Sequence, residues 1–327
     1  MRVVITGAAG FIGFHCVRTL LARGDVSAVI GIDNLNDYYD PALKAARLKE
    51  INAQPNSDRF HFHQVDIADA PAISRIWQDS SPSHVIHLAA QAGVRYAAEA
   101  PFAYTHSNIT GFLSILEACR TTPVEHLLYA SSSSIYGLNT ELPFAETQKT
   151  DQPASLYGAT KKANELMAAS YAHLYNMPAT GLRFFTVYGE WGRPDMAFFK
   201  FVAAMRSGQA IGVYNRGQMT RDFTYVDDVV SSVLALLDKP SPQTPPHRVF
   251  NVGGNQPMLL LDAIKTLESV TGVEAVKIFL PIQPGDVEAT AADPAALKAV
   301  IGRIPETPLK KGLERFVAWY DRYHQAR

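Results

Sequence analysis

Over the first 190 or so positions, apolar residues come in short unbroken runs, and longer stretches with helical spacing separate them. The runs at 2–6, 28–33, 60–66, 84–89, 126–131 and 180–186 predict strands. Between them, 11–23, 42–52, 70–79, 102–120 and 156–175 predict helices. A strand that is apolar along its whole length must be covered on both faces, and strand–helix alternation provides that cover by winding a parallel sheet. The expected fold class is α/β: a doubly wound parallel sheet followed by a smaller C-terminal α/β region.

After Tyr188 the pattern changes. Residues 189–194 predict a loop, 197–207, 227–237 and 261–271 predict helices, and 248–252 predicts a strand. Prolines from 240 to 246 mark a surface connection. This places a nucleotide-binding domain at about 1–180. Residues 181–327 mainly complete a cleft, with a strand near 248–254 returning to the first sheet.

Composition narrows the function classes. The chain has 327 residues, enough for one large domain or two that share a core. Its 47% hydrophobic content rules out a disordered chain. A net charge of −1, with both signs mixed, lacks the footprint of a nucleic-acid binder. No run reaches the roughly 18 apolar residues that span a bilayer, so no membrane partner is expected. The first strand starts at once and leaves no room for a secretory signal, which points to the cytoplasm. Cys16 and Cys119 lie in helical patterns without partners at metal-ligand spacing, so no disulfide framework is expected. His61 and His63 would share one face of a strand, the nearest approach to a metal motif; no metal is expected.

The first strand runs into Gly7-Ala8-Ala9-Gly10-Phe11-Ile12-Gly13 and then a helix. Residues without Cβ at Gly7, Gly10 and Gly13 allow a sharp turn, close approach to a pyrophosphate and tight helix–strand packing. Asp33 ends the second strand at the place where a carboxylate accepts from adenosine ribose hydroxyls and repels a 2′-phosphate. The pattern is Rossmann-like and favours NAD over NADP.

Tyr157 and Lys161 are four apart in a helical segment, so they share a face. A neighbouring ammonium favours the phenolate and lets a tyrosine act as a base nearer neutral pH. The serines Ser131 to Ser134 end a predicted strand, at the sheet edge where ligands bind in open parallel sheets.

The glycine turn, the serines before Ile135-Tyr136-Gly137, and Tyr157-Gly158-Ala159-Thr160-Lys161 together resemble the extended short-chain dehydrogenase/reductase family, in matching order along essentially the whole chain. The resemblance implies a catalytic trio of Ser132, Tyr157 and Lys161. Tyr157 would deprotonate a sugar hydroxyl while hydride leaves the same carbon. Lys161 would hold the nicotinamide ribose and lower the phenol's pKa, and Ser132 would hydrogen-bond the reacting oxygen. Besides the turn glycines, Tyr157 and Lys161, the implied NAD contacts are Phe11, Ile12, Asp33, Asn34, Asp66, Ile67, Leu88, Ala89, Ala90, Ser107 and Phe185.

Further segments resemble the family's UDP-sugar loops: Arg193-Pro194-Asp195-Met196-Ala197, Val213-Tyr214-Asn215, Arg221-Asp222-Phe223 and Gly285-Asp286. Val94-Arg95-Tyr96 and Phe184-Phe185-Thr186-Val187-Tyr188-Gly189 resemble the UDP-glucuronate 4-epimerase branch. The implied substrate contacts are Arg95, Ser132, Ser133, Ser134, Tyr157, Thr186, Arg193, Val213, Tyr214, Arg221 and Asp286. Of these, Arg221 would meet the diphosphate and Asp286 the nucleotide ribose. Ser133, Ser134 and Thr186 would hold the sugar carboxylate, with Arg193 adding positive charge or contacting the nucleotide.

A 4,6-dehydratase carries an Asp-Glu pair where this chain has Ser133 and Ser134, and a UDP-glucuronate decarboxylase typically has a glutamate in the same stretch. The expected reaction is therefore C4 epimerisation of UDP-glucuronate to UDP-galacturonate through a 4-keto intermediate. A UDP-glucose/galactose 4-epimerase, a UDP-glucuronate decarboxylase and a non-catalytic NAD-binding sensor are the alternatives. The helices at 102–120 and 156–175 resemble the family's four-helix interface, which implies a homodimer. Gln283 stands where related glucose/galactose epimerases often carry an arginine.

Overall fold

The computed structural model describes residues 1–254, 256–283, 285–304 and 306–325. In chain order its elements begin β1 (Arg2–Thr6), α1 (Phe11–Leu21), β2 (Ala28–Asp33), α2 (Pro41–Asn52), β3 (Phe60–Gln64), α3 (Ala70–Ser80) and β4 (His84–His87). There follow α4 (Tyr96–Glu99), α5 (Pro101–Tyr104), a π-helical stretch (Thr105–Gly111), α6 (Phe112–Thr121), β5 (His126–Ser132), α7 (Leu156–Tyr175), β6 (Ala179–Phe184) and β7 (Thr186–Tyr188). The remainder is α8 (Ala197–Arg206), β8 (Ile211–Tyr214), β9 (Thr220–Tyr225), α9 (Val226–Leu237), β10 (His247–Val252), β11 (Pro257–Leu259), α10 (Leu260–Thr271), β12 (Lys277–Leu280), α11 (Ala295–Ile301) and α12 (Leu309–Gln325).

Seven strands form one parallel sheet in the order β10-β6-β5-β4-β1-β2-β3. This is the expected doubly wound, Rossmann-like α/β fold. Chain order reverses between β1 and β4, so the connections after these two strands leave in opposite directions and open a crevice between them. Both faces are covered. Val3 and Ile5 of β1 pack into the cluster containing Phe14, Val229 and Val233, whereas Val4 packs into the opposite cluster with Ile73, Trp77 and Phe112. That split is the two-residue period of a strand buried on both sides.

Local signals set several helix starts. Asp40, Asp69 and Ser155 each accept a backbone N–H from the first turn of α2, α3 and α7, which satisfies a donor that the helix cannot. The single helix expected at 102–120 is instead α5, the π-helical stretch and α6 in succession. Sequence periodicity missed the two small sheets, β11-β9-β7 and β12-β8, and also α4, α11 and α12. These strands are short, and α12 buries an aromatic stripe (Phe316, Trp319, Tyr320) that has meaning only against Trp191 and Phe199. Among the described residues, no helix is long and apolar enough to cross a membrane.

Candidate active site

The glycine turn closes directly onto the crevice. Gly7 has φ +72°, and a Cβ there would lie 2.8 Å from the backbone nitrogen of Ala89 at the exit of β4. A Cβ on Gly13 would lie 2.1 Å from the Gly7 carbonyl oxygen. Only glycine allows this cradle, and α1 starts from Gly10 with no side chain capping it, so its first N–H groups face outward as an anion site. Beside it, buried Asp33 accepts from the backbone N–H of Ala9 (3.2 Å) and Leu35 (2.9 Å). These bonds aim the carboxylate and leave lone pairs free. Asn34 donates to Asp66 (2.9 Å), with buried Ile67 beyond it. The glycine cradle, the Asp33 carboxylate and the Asn34–Asp66 pair with Ile67 therefore fit a dinucleotide.

On the far side of the crevice, β5 delivers Ser132 and α7 delivers Tyr157 and Lys161. Burial raises the Tyr157 phenol above its ordinary value, opposed first by the Ser132 hydroxyl and then by the Arg193 guanidinium. The ring of Tyr157 also packs edge-on against Tyr104, with centroids 6.2 Å apart. Lys161, one helical turn beyond Tyr157, is buried, and its Nζ donates to the Ala130 carbonyl at 2.9 Å. The charge that opposes burial at the phenol belongs to Arg193, which comes from a loop 36 positions away (193 minus 157).

Burial pulls the Lys161 ammonium down from 10.5 to about 8. The unfolded lysine keeps the higher value, so folding penalises its charged form. The penalty is full below about pH 8 and fades as pH rises toward 10.5. Lys161→Met should therefore stabilise the dinucleotide-free protein near pH 7, by about 1–3 kcal/mol, with the gain shrinking toward pH 10. Melting curves at the two pH values check this. No gain at neutral pH would mean that the lost Ala130 contact outweighs relief of the buried charge.

The substrate candidates fall into two groups. Arg95, Tyr214, Arg221 and Asp286 converge: Arg95 donates to Asp286 at 2.9 Å and lies 5.0 Å from the centre of the Tyr214 ring. Burial lowers the Arg221 pKa, with Asp286 opposing that shift and Arg95 reinforcing it. Two guanidinium groups against one carboxylate leave a net positive spot. Val213 is apart from them, because its side chain is fully buried in the core and only its backbone is available. Thr186 and Arg193 form the second group, sharing a small cavity with Phe11, Gly189 and Met196. Ser133 and Ser134 follow Ser132 in a 3-10 turn, where the Ser132 oxygen accepts the Ser134 N–H at 3.1 Å. Phe185 is turned into a buried cluster with Ile135, Tyr136 and Phe144, so it too offers mainly backbone.

Sequence reasoning missed two ties. Asn108, in the π-helical stretch beside Ser107, joins Gln91 after β4 to Thr160 on α7 through three hydrogen bonds. Arg47 joins the glycine turn to the loop before Arg193. Neither had a sequence signal, since both stand in polar-looking helical positions. Among the described residues, no cluster of three or more His, Cys, Asp or Glu is arranged to hold a metal.

Comparison with known proteins agrees with this geometry. Residues 3–253 match the model of the NAD dependent epimerase/dehydratase family. A probable UDP-glucuronate 4-epimerase of Rhizobium meliloti is 44% identical over 99% of this chain and 98% of its own length. UDP-glucuronate 4-epimerase 4 of Arabidopsis thaliana is 46% identical over 99% of this chain and 76% of its own length. The crystal structure of the Bacillus cereus UDP-glucuronic acid 4-epimerase, in complex with UDP-glucuronic acid and NAD, superposes with a TM-score of 0.91. It is 33% identical and covers 99% of this chain and 100% of its own.

Proposed function

Because the chain belongs to the NAD dependent epimerase/dehydratase family, we propose that it interconverts UDP-glucuronate and UDP-galacturonate by inverting C4 of the sugar. It is an isomerase, and its dinucleotide is NAD. The observation that carries the reading is the packing of the first turn of α7 on the Ser132–Ser134 turn, where a Cβ at Gly158 would lie 2.6 Å from the Ser134 carbonyl oxygen, which brings Tyr157 and Ser132 to the crevice where the glycine turn opens. A proton acceptor and a hydrogen-bonding hydroxyl at that crevice suit the reactive end of a dinucleotide.

Bound NAD supplies a reversible hydride acceptor at C4, so it ends each cycle oxidised and behaves as a prosthetic group. Tyr157 takes the C4 hydroxyl proton in the forward half and returns a proton in the second half. Ser132 holds the reacting oxygen, and Lys161 would hold the nicotinamide ribose. Arg221 and Asp286 grip the nucleotide, with Arg95 beside them, while the oxidised sugar turns to present its other face.

Oxidised glucuronate is a β-keto acid and loses carbon dioxide when its carboxylate is poorly held. Ser133, Ser134 and Thr186 hold that carboxylate by hydrogen bonds, and Arg193 adds positive charge. No carboxylate stands at the two positions directly after Ser132, so water elimination has no acid–base pair there. The test is incubation of the purified protein with UDP-glucuronate and no added dinucleotide, followed by NMR. UDP-galacturonate supports the proposal, a UDP-pentose points to a decarboxylase, and no product points to a sensor. In the same assay, Thr186→Ala should raise the decarboxylated fraction severalfold; an unchanged product ratio counts against the carboxylate assignment.

The proposed assembly is a homodimer through the helices around 102–120 and 156–175. Phe102, Leu113, Leu166 and Leu174 stand exposed on these helices, which supports an apolar contact with a second copy. Light scattering should then read twice the 35.8 kDa chain mass.

A further inference from the structure

Arg47, on α2, is a fully buried guanidinium that the reaction as described leaves unused. Its planar fork is directed at backbone. Nη1 donates to the Ala9 carbonyl in the glycine turn (2.9 Å) and to the Tyr39 hydroxyl (2.6 Å). Nη2 donates to the carbonyls of Trp191 (2.6 Å) and Gly192 (3.2 Å), and Nε donates again to Trp191 (3.2 Å). Two loops far apart in sequence thus share one side chain: the turn beneath the expected pyrophosphate and the segment that ends in Arg193.

That segment needs holding. Trp191 has φ 59°, in the left-handed region that a large side chain avoids. Its ring is gripped by Phe14 (5.1 Å between centroids) and Trp319 (5.3 Å), and its carbonyl is gripped by Arg47. Arg193, two residues on, is clamped by Asp195, with Nε donating at 2.9 Å, and its guanidinium carbon lies 5.8 Å from the centre of the Tyr38 ring.

We propose that Arg47 is a positioning residue: it holds segment 189–195 in register on the glycine turn and thereby sets where Arg193 meets the sugar nucleotide relative to the dinucleotide. An arginine is required because its donors diverge from one rigid plane toward both loops. A lysine ammonium reaches a single point. The inference rests on the reading that Arg193 faces the substrate.

The test compares wild type, Arg47→Lys, Arg193→Ala and the double variant, each as holoenzyme. Two quantities are measured: amide hydrogen exchange across 189–196, and kcat/KM for UDP-glucuronate. In Arg47→Lys, exchange in this segment should accelerate about tenfold or more, and kcat/KM should fall about tenfold. The double variant should be no worse than Arg193→Ala alone, because the first change acts through the second residue. Unchanged exchange, or losses that multiply in the double variant, overturns the proposal. A silent Arg193→Ala defeats the Arg193 reading instead, and the exchange rates then decide on Arg47 alone. If Arg47→Lys does not fold, Tyr39→Phe removes only the phenol oxygen that orients Nη1. The same two readouts should then move in the same directions, severalfold, and wild-type values overturn the proposal.

Discussion

A Tyr157→Phe variant should turn over UDP-glucuronate about 10³-fold more slowly than the wild type, while its melting temperature and NAD content stay close to wild-type values. Only one oxygen is removed. The ring keeps its edge contact with Tyr104, and α7 keeps its Ser155 cap, so folding has little to lose. The chemistry loses its proton acceptor. The carbon that bears the sugar hydroxyl cannot give up hydride until the hydroxyl proton has somewhere to go, and a positioned acid–base group contributes about 10²–10⁴-fold. Burial holds this phenol high, and the Ser132 hydroxyl and the Arg193 charge partly offset that. The replacement therefore also tests whether those two groups act through the tyrosine. In Tyr157→Phe, removing Ser132 as well should cost little more. A phenylalanine variant within tenfold of wild-type kcat would mean that another group moves the proton.

The second large effect concerns stability. Arg183, on β6, and Glu165, on α7, form a two-pronged ion pair at 2.9 Å and 2.9 Å, and both side chains are buried. The network extends outward. Ser131 donates to Glu165 at 2.7 Å, Arg183 donates to the Tyr136 hydroxyl at 2.9 Å, and Tyr136 donates to Asn251 on β10 at 2.7 Å. Burial alone would pull the Arg183 guanidinium down, and the Glu165 carboxylate more than reverses this. Glu165→Gln leaves a buried cation without its counter-charge, a loss of about 3–5 kcal/mol. Calorimetry should show the melting temperature falling by about 4–7 °C. A change below about 1 kcal/mol would show that water or a neighbouring group takes over the charge. The position of the pair matters for the site as well, because Ser131 precedes Ser132 and Glu165 follows Lys161 by one helical turn. The same bonds that hold α7 to the sheet hold the catalytic candidates against each other.

Much of the site could be read along the chain because its parts are local. The glycine turn, Asp33 at the end of β2 and the Tyr157/Lys161 spacing are each fixed by a few neighbouring residues and by the period of one element. Lys161 shares a helix with Tyr157, whereas a second charge near the phenol depends on which loop comes close. That loop carries Arg193, and its approach is set by Arg47, Trp191 and the aromatic face of α12. Val213 shows the same limit in reverse. It lies in a UDP-sugar-like segment, yet strand alternation against β12 turns its side chain into the core.

The sequence by itself determined the alternation that winds the parallel sheet, the turn that only glycine can make and the helix face shared by tyrosine and lysine, since each follows from spacing within one short segment. Only the tertiary structure decided which distant charges face the phenol, how Arg95, Arg221 and Asp286 gather at one spot and what Arg47 ties together. Those arrangements join residues tens to nearly two hundred positions apart, and contact between such residues comes from packing, which no local pattern encodes.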